Sequence, residues 1–299
     1  MLGALAAVAS AALWAFASTR YAQASRAVGS ARVNLTRSST VLPIFLVATL
    51  VTTRGHLFAG IDGTRAAWLA LSVLCAYGFA DNVFFASARR LGVTTALAIA
   101  SSYPLWAALA GTLWRGERFG VARAGGIVLC VGGVVALILL APRAVEEHEH
   151  AHSTRRDARE GILLALLTSV LWAGNTVSVK MGGTGIAAWH ANLIRFFIAW
   201  PILAATSSLV RRPTKDDAVA RAAYRGLVPV SIAEACIGSS LFVYGLAHTD
   251  LAVGATLSSL APLMSVPFAL LYREERWSPP RFAAVTATVA GVIILIVGA

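Results

Sequence analysis

The second half of this chain repeats the first half at a shift of 158 residues. The matched pairs run along the whole chain and include Trp14 with Trp172, Asn34 with Asn192, Arg37 with Arg195, Phe84 with Phe242, Pro104 with Pro262 and Gly133 with Gly291. A period this long, spread over several apolar segments, argues against a solenoid of short repeats. It is typical of the duplicated halves from which secondary transporters are built.

The composition indicates a membrane protein. The chain is 58% hydrophobic and 13% charged, whereas a soluble domain carries roughly 25% charged residues. A helix needs about 20 residues to cross the hydrocarbon core of a bilayer. Ten apolar segments approach or exceed this length, at 2–19, 33–53, 66–88, 93–114, 121–141, 161–181, 187–210, 224–247, 251–272 and 282–298. The sequence therefore predicts an all-α, polytopic membrane protein with ten transmembrane helices.

The ten segments divide into two groups of five, which predicts a first five-helix repeat at 1–141 and a second at 161–299. Between them, residues 142–160 form a polar stretch rich in His and Glu. A His-rich tract can bind metal, but alternating charge between two folded halves is also typical of a solvated linker. The linker is the favoured interpretation.

The net charge of +11 does not predict a nucleic-acid partner, because the basic residues are scattered through the connections between apolar segments. Connections after the odd-numbered segments carry about three times as many Lys and Arg residues as the others. By the positive-inside rule, these connections would be cytoplasmic and both termini would face outward. The sequence thus predicts a multi-pass protein of the inner (plasma) membrane.

Two carboxylates lie within apolar segments, where an ionised group costs at least roughly 2.5 to 3.5 kcal/mol at the bilayer centre. Asp81 lies about seven residues before the end of the third segment, and Glu234 about ten residues after the start of the eighth. These positions share a depth of roughly 10 to 15 Å below one membrane surface. We expect both acids to face one cavity and to serve in proton coupling. Alternatively, Asn82 and Ser231 satisfy them locally.

Aromatic and amide side chains in the same segments predict a lining for a planar or amphipathic organic solute. Tyr77 lies one turn from Asp81, and Trp172 and Asn175 share a helix face at a spacing of three residues. For Trp14 and Trp172, packing in the core is an equal alternative. The predicted substrate-binding set is Trp14, Tyr77, Asn82, Tyr103, Trp172, Asn175 and Lys180.

The fifth and tenth segments carry small residues four apart, which predicts close helix packing within lipid. These residues are Gly126, Cys130, Ala283, Ala287 and Gly291. The contact would join the two halves or two copies of the chain, so a monomer and a homodimer both remain open. No phosphate-binding loop or paired CxxC is present. The sequence therefore predicts a protein that is not an enzyme and has no cofactor or bound metal.

Three segments carry a family resemblance. Residues 171–180 (LWAGNTVSVK), 192–197 (NLIRFF) and 255–277 (ATLSSLAPLMSVPFALLYREERW) resemble the EamA repeat of the drug/metabolite transporter superfamily, and the first half repeats the pattern more faintly. The resemblance implies two inverted five-helix bundles around a central cavity, and export of small metabolites. The first half has Ala17 and Ala22 in place of Asn175 and Lys180, so a role for that lysine would not be duplicated.

Taken together, these features predict an exporter of small metabolites or drugs, including amino-acid-like solutes, that works by alternating access with a proton gradient as a candidate driving force. One alternative is uptake or exchange of an organic anion bound by Arg37, Arg195 and Lys180. A second alternative, from another functional class, is a receptor or assembly factor with a static cavity.

Overall fold

The computed structural model describes residues 1–91, 96, 99–116, 120–139, 155–209, 216–261, 263–264 and 279–297, and this part of the chain is helical with no strand. The first half contains α1 (Leu2–Val28), α2 (Ser30–Thr52), α3 (Gly63–Val73), a first π segment (Leu74–Ala80), α4 (Asp81–Leu91), α5 (Tyr103–Arg115) and α6 (Val121–Leu139). The second half contains α7 (Arg155–Gly183), α8 (Ala188–Leu209), α9 (Asp217–Ser231), a second π segment (Ile232–Gly238), α10 (Ser239–Ala247), α11 (Leu251–Ser258) and α12 (Pro279–Val297).

Five helical stretches in the described ranges are long and apolar enough to cross a membrane. They are Ser30–Thr52, Gly63–Phe84, Arg156–Gly183, Ala188–Leu209 and Asp217–Ala247. Three shorter apolar helices cover Leu2–Ala17, Val121–Ala136 and Ala283–Ile294. The all-helical class is confirmed, and the number of ten spans stays a prediction. Residues 142–154 of the expected linker, with its His-rich tract, lie outside the described residues, whereas Arg155 already begins α7.

The two π segments occupy equivalent positions in the two halves. Leu74 corresponds to Ile232 and Ala80 to Gly238 at the 158-residue shift. Each segment interrupts a long helix at its middle and changes the direction in which the following side chains point. Short π segments of this kind occur often at functional sites. Asp81 follows the first π segment and Ser239 follows the second, and both line the cavity described below.

Small residues join α6 and α12 through a reciprocal contact. A Cβ atom at Gly133 would lie 2.8 Å from the Ala284 carbonyl oxygen, and one at Gly291 would lie 2.7 Å from both the Gly126 carbonyl oxygen and the Cys130 nitrogen. The contacted residues are themselves related by the 158-residue shift. The small-residue pattern therefore packs the two halves together, as one of the two sequence alternatives proposed, through close approach of the backbones.

Other helices also pack mainly across the two halves. Phe45 on α2 stacks on Phe196 of α8, with 5.7 Å between ring centroids. Gly245 of α10 lies against Ala7 of α1. Ser87 on α4 donates a hydrogen bond of 2.8 Å to the Gly161 carbonyl oxygen of α7. Because each half buries its apolar faces against the other, a site between the halves takes residues from both.

Candidate functional site

A cavity of about 150 Å³ lies between the two halves. Its described polar and aromatic lining consists of Ser10, Trp14, Arg37, Tyr77, Asp81, Ser101, Tyr103, Trp172, Asn175, Thr176, Arg195, Glu234, Ser239, Phe242, Ser258 and Ser259. Four of these side chains carry a formal charge, as two carboxylates and two guanidinium groups. Helix α5 begins just after Ser101, and helix α11 ends just before Ser259. Non-helical backbone therefore also borders the cavity.

Arg37 is the centre of the charged cluster. Its Nη2 atom donates to Glu234 Oε2 at 2.8 Å, and its Nη1 atom lies 3.7 Å from Asp81 Oδ2. Asn34 links the other side, because its amide donates to Asp81 at 2.6 Å and its oxygen accepts from Arg37 at 2.9 Å. The side chains of Arg37, Asp81 and Glu234 are 3%, 13% and 10% exposed. One buried cation is thus shared by two acids from different halves.

Aromatic rings surround the Arg37 guanidinium. Its central carbon lies 4.4 Å from the ring centroid of Tyr21, 4.9 Å from that of Tyr77 and 5.7 Å from that of Trp14. Cations are attracted to the faces of aromatic rings, and more strongly where water is excluded. The Tyr21 hydroxyl also donates to Glu234 Oε2 at 2.9 Å. The ion pair is therefore enclosed by three aromatic rings and one hydrogen-bonding hydroxyl group.

Arg195 has only neutral partners. Its Nε donates to Ser72 at 2.9 Å, its Nη1 to Asn192 at 2.9 Å and its Nη2 to Asn175 at 3.1 Å. It is 2% exposed. In the part of the chain that the structure describes, no carboxylate lies within 4 Å of Arg195. The guanidinium is thus a second buried cation of the cavity, without an acid beside it.

The difference between the two arginines follows from the repeat. Asn34 and Arg37 make the same 2.9 Å bond as their equivalents Asn192 and Arg195. Asn34 then donates to Asp81, whereas Asn192 donates to Ser239 at 3.0 Å, and Ser239 is the residue that corresponds to Asp81. The duplicated motif therefore carries an acid in one half and a hydroxyl in the other. Glu234 likewise corresponds to an alanine, Ala76.

An aromatic wall forms the remaining part of the lining. Trp172 lies edge-on to Tyr103 with 6.0 Å between ring centroids, and tilted against Phe84 at 5.5 Å. Trp172 is half-buried, so part of its ring surface is available to a solute. Tyr77 instead stacks on Phe196 and is 9% exposed, which gives it a packing role beside its place in the lining.

The structure brings most of the predicted site residues together. Trp14, Tyr77, Asp81, Tyr103, Trp172, Asn175 and Glu234 all line the cavity. Asn82 is exposed, accepts a hydrogen bond from Ser30 and donates to the Gly78 carbonyl oxygen at 3.1 Å. Lys180 donates to the carbonyl oxygens of Thr249 and Ala247 at the end of α10. Neither Asn82 nor Lys180 belongs to the described lining.

Sequence reasoning placed the two acids at one depth but did not pair them with Arg37. Their partners are Arg37, Asn34 and Tyr21, rather than the neighbouring Asn82 and Ser231. The repeated Asn-x-x-Arg motif at 34–37 and 192–195 was the signal that could have located both guanidinium groups. In the described ranges, no group of three His, Cys, Asp or Glu side chains could hold a metal ion.

Known proteins share the sequence pattern and the fold of this chain. The sequence profile of the EamA-like transporter family matches residues 1–139 and 159–297. A solved crystal structure aligns over 99% of this chain and 98% of its own length, with a TM-score of 0.75 and 17% sequence identity, so it shares the fold. A comparison with curated protein sequences gave no match. Since the profile covers both halves, the chain belongs to the EamA-like transporter family and is a multi-pass membrane transporter of the drug/metabolite transporter type.

Proposed function

We propose that this transporter exports small amphipathic metabolites or drugs across the inner membrane by alternating access, driven by a proton gradient. The observation that carries the proposal is the shared ion pair. Arg37 of one half holds Glu234 of the other half at 2.8 Å, inside a cavity that both halves line. A charge contact between the halves at the site itself is suited to linking proton uptake to their relative movement.

The proposal assumes ten spans arranged as two inverted halves. In that topology α2 and α8 run in opposite directions, so Arg37 and Arg195, each seven residues into its helix, lie on opposite sides of the midplane. A rise of about 1.5 Å per residue puts each roughly 10 Å from its helix start. The cavity between them is then near the bilayer centre, where the sites of inverted-repeat transporters lie.

Proton coupling follows from the charges of the cluster. When Asp81 and Glu234 are both ionised, Arg37 neutralises one of the two negative charges. A proton that binds to Glu234 removes the charge that attracts Arg37 of α2 to the second π segment, whereas a proton on Asp81 acts within the first half. The contact between the halves then weakens, and the cavity opens more readily to the other side. Release of the proton restores the ion pair, so each cycle returns the transporter to its starting state.

A second candidate is transport of an organic anion. Arg195 favours it, because this buried guanidinium contacts only Ser72, Asn175 and Asn192. In that reading the acids hold Arg37 in place, and Arg195 binds the solute. A receptor or assembly factor with a static cavity would bind a solute but transport neither an amphipathic metabolite nor an organic anion.

A flux assay separates these functions. The purified full chain is reconstituted into proteoliposomes and screened against amino acids, quaternary amines and sugar phosphates, with and without a pH gradient. Export predicts flux of an amphipathic solute that increases with the proton gradient. Flux of sugar phosphates alone would favour the anion transporter. Binding of solutes in detergent without any flux would favour the static receptor and contradict transport.

A further inference from the structure

The charged side chains of the cavity form two groups of opposite net charge, which define its two ends. At one end Arg37 lies with Asp81 and Glu234, and with all three ionised this end carries a net charge of −1. At the other end Arg195 has neutral partners only, and this end carries +1. The described lining as a whole is neutral but bipolar.

Arg195 retains hydrogen-bonding capacity. A guanidinium group has five N–H donors, arranged in a planar fork that matches a carboxylate. Arg195 uses one donor on each nitrogen, toward Ser72, Asn192 and Asn175. One N–H on each of Nη1 and Nη2 therefore has no acceptor in the described part of the chain. An unpaired buried charge is costly, so an anionic group on the solute would complete the site.

We propose that the cavity binds a zwitterionic solute with an apolar body. Its anionic group, a carboxylate or a group of similar shape, lies on Arg195. Its cationic group lies beside Asp81 and Glu234, which have one negative charge more than Arg37 neutralises. The apolar body packs on Trp172 and Tyr103. The solute is neutral overall, so it pairs both ends without bringing a net charge into the cavity. This inference rests on the proposed function and names the class of its cargo.

The other basic residues near the site do not serve the anionic group. Arg37 already donates to Glu234 at 2.8 Å and lies 3.7 Å from Asp81. Lys180 donates to the Thr249 carbonyl oxygen and does not line the cavity. A solute anion that approached Arg37 would also approach two carboxylates. The separation of the charges thus assigns one role to each end.

The first test compares probes that share a benzene ring and differ in charge. Binding to the purified full-length protein in detergent is measured by calorimetry for phenylalanine, 4-(aminomethyl)benzoate, phenethylamine and 3-phenylpropanoate. The first two are zwitterions with different charge separations, the third is a cation and the fourth an anion. We expect at least one zwitterion to bind roughly tenfold tighter than either singly charged probe, because each charge-assisted contact contributes that much or more. Equal or weaker binding of both zwitterions, or no binding of either, overturns the proposal.

The second test places a negative charge beside Arg195 and leaves Arg195 itself unchanged. Ser239→Asp gives Arg195 the acid that Arg37 has in the equivalent position, so we expect the zwitterion to lose its advantage over phenethylamine. Ser239→Asn has nearly the same shape but no charge, and should keep the advantage. Both variants are first checked for a monodisperse elution profile and a thermal transition. An advantage that persists in Ser239→Asp, or disappears equally in both folded variants, contradicts an anion site at Arg195.

If a Ser239 variant fails to fold, Arg195→Gln provides a second test. It removes the positive charge of Arg195 and keeps a hydrogen-bond donor, the glutamine amide. Without the Arg195 charge, the ratio of zwitterion affinity to phenethylamine affinity should fall to about one or below. Flux measurements distinguish the two proposals. Zwitterion binding without flux would contradict transport but support the site, whereas flux of phenethylamine with no zwitterion preference would support transport and contradict the site.

Discussion

Arg37 and Arg195 are equivalent in sequence and unlike in environment. The sequence predicted that Asp81 and Glu234 face one cavity, from their positions within apolar segments, and both line the cavity. Their partner could not be predicted, since the bond from Arg37 to Glu234 joins residues 197 apart and its formation depends on how α2 packs against the second π segment. The aromatic lining was predictable as a set of residue types. The exclusion of Asn82 depends on the helix rotation after the first π segment.

Substitution of either acid tests proton coupling. Asp81→Asn and Glu234→Gln keep the shape of the side chains but cannot exchange a proton, so we expect each to abolish gradient-driven flux in proteoliposomes. At least one should still bind solute or carry out downhill exchange. Loss of binding in both variants would show that the acids recognise the cationic group of the solute and would leave a separate coupling role without support. Flux that still increases with the proton gradient in both would remove the acids from the coupling mechanism.

Trp172 is expected to bind the apolar part of the solute. Trp172→Ala should weaken solute binding by about 1 to 2 kcal/mol, the contribution of a lost aromatic contact with its buried area. Its melting temperature in detergent should stay close to that of the unmodified chain. Trp114→Ala is the control, because Trp114 is 71% exposed and lies outside the lining. An early melting transition with unchanged binding would show that Trp172 packs the core only.

Tyr77 is expected to differ from Trp172. Its ring stacks on Phe196 at 5.5 Å and faces Arg37 at 4.9 Å, so its removal opens the core beside the ion pair. We expect Tyr77→Ala to lose about 3 kcal/mol or more of stability, measured by thermal or denaturant unfolding in detergent. Tyr77→Phe keeps both ring contacts and should unfold near the unmodified protein. Similar stability of Tyr77→Ala and Tyr77→Phe would argue against a packing role.

At the scale of helices, the apolar segments could be predicted but the π segments could not. Length and hydropathy locate a helix, whereas an extra residue in one turn leaves no trace in either. The structure shows both π segments at the same position in the repeat, Leu74–Ala80 and Ile232–Gly238. The sequence repeat alone did not reveal either segment. The small residues of α6 and α12 did predict close packing, because a spacing of four places residues on one helix face. On α12, however, Ala284 and Thr288 make the contact with Gly133, and the predicted Ala283 is exposed.

Two adjacent glycines on α6 test that packing. A Cβ atom at Gly133 would lie 2.8 Å from the Ala284 carbonyl oxygen and 2.9 Å from the Thr288 nitrogen, both backbone atoms, whereas one at Gly132 meets nothing within 4 Å. We expect Gly133→Ala to destabilise the protein by about 1 to 3 kcal/mol through overpacking. Gly132→Ala should be neutral or slightly stabilising. Thermal unfolding in detergent compares them, and equal transitions would contradict the close approach of α6 and α12.

For the whole molecule, charge predicts the orientation in the membrane. The excess of Lys and Arg in alternate connections predicts that residues 142–160 are cytoplasmic and that the connection at 53–62 faces outward. In intact cells, a membrane-impermeant thiol reagent should therefore label Ala59→Cys and not Ser153→Cys. The native Cys75, Cys130 and Cys236 lie within helices, half-buried or buried, and serve as the background. Labelling of Ser153→Cys from outside, with Ala59→Cys protected, would show that the chain has the opposite orientation in the membrane.

The reciprocal contact of α6 and α12 has a consequence in genetic terms. Because each half provides both a glycine and the surface that receives it, two copies of a single half can form the same contact as a symmetric homodimer. Such a homodimer carries either two acids or two hydroxyls at the position of Asp81 and Ser239. After duplication of such a gene, one copy can mutate while the other is retained. Duplication is therefore the step that made an acid in one half and a hydroxyl in the other accessible to selection.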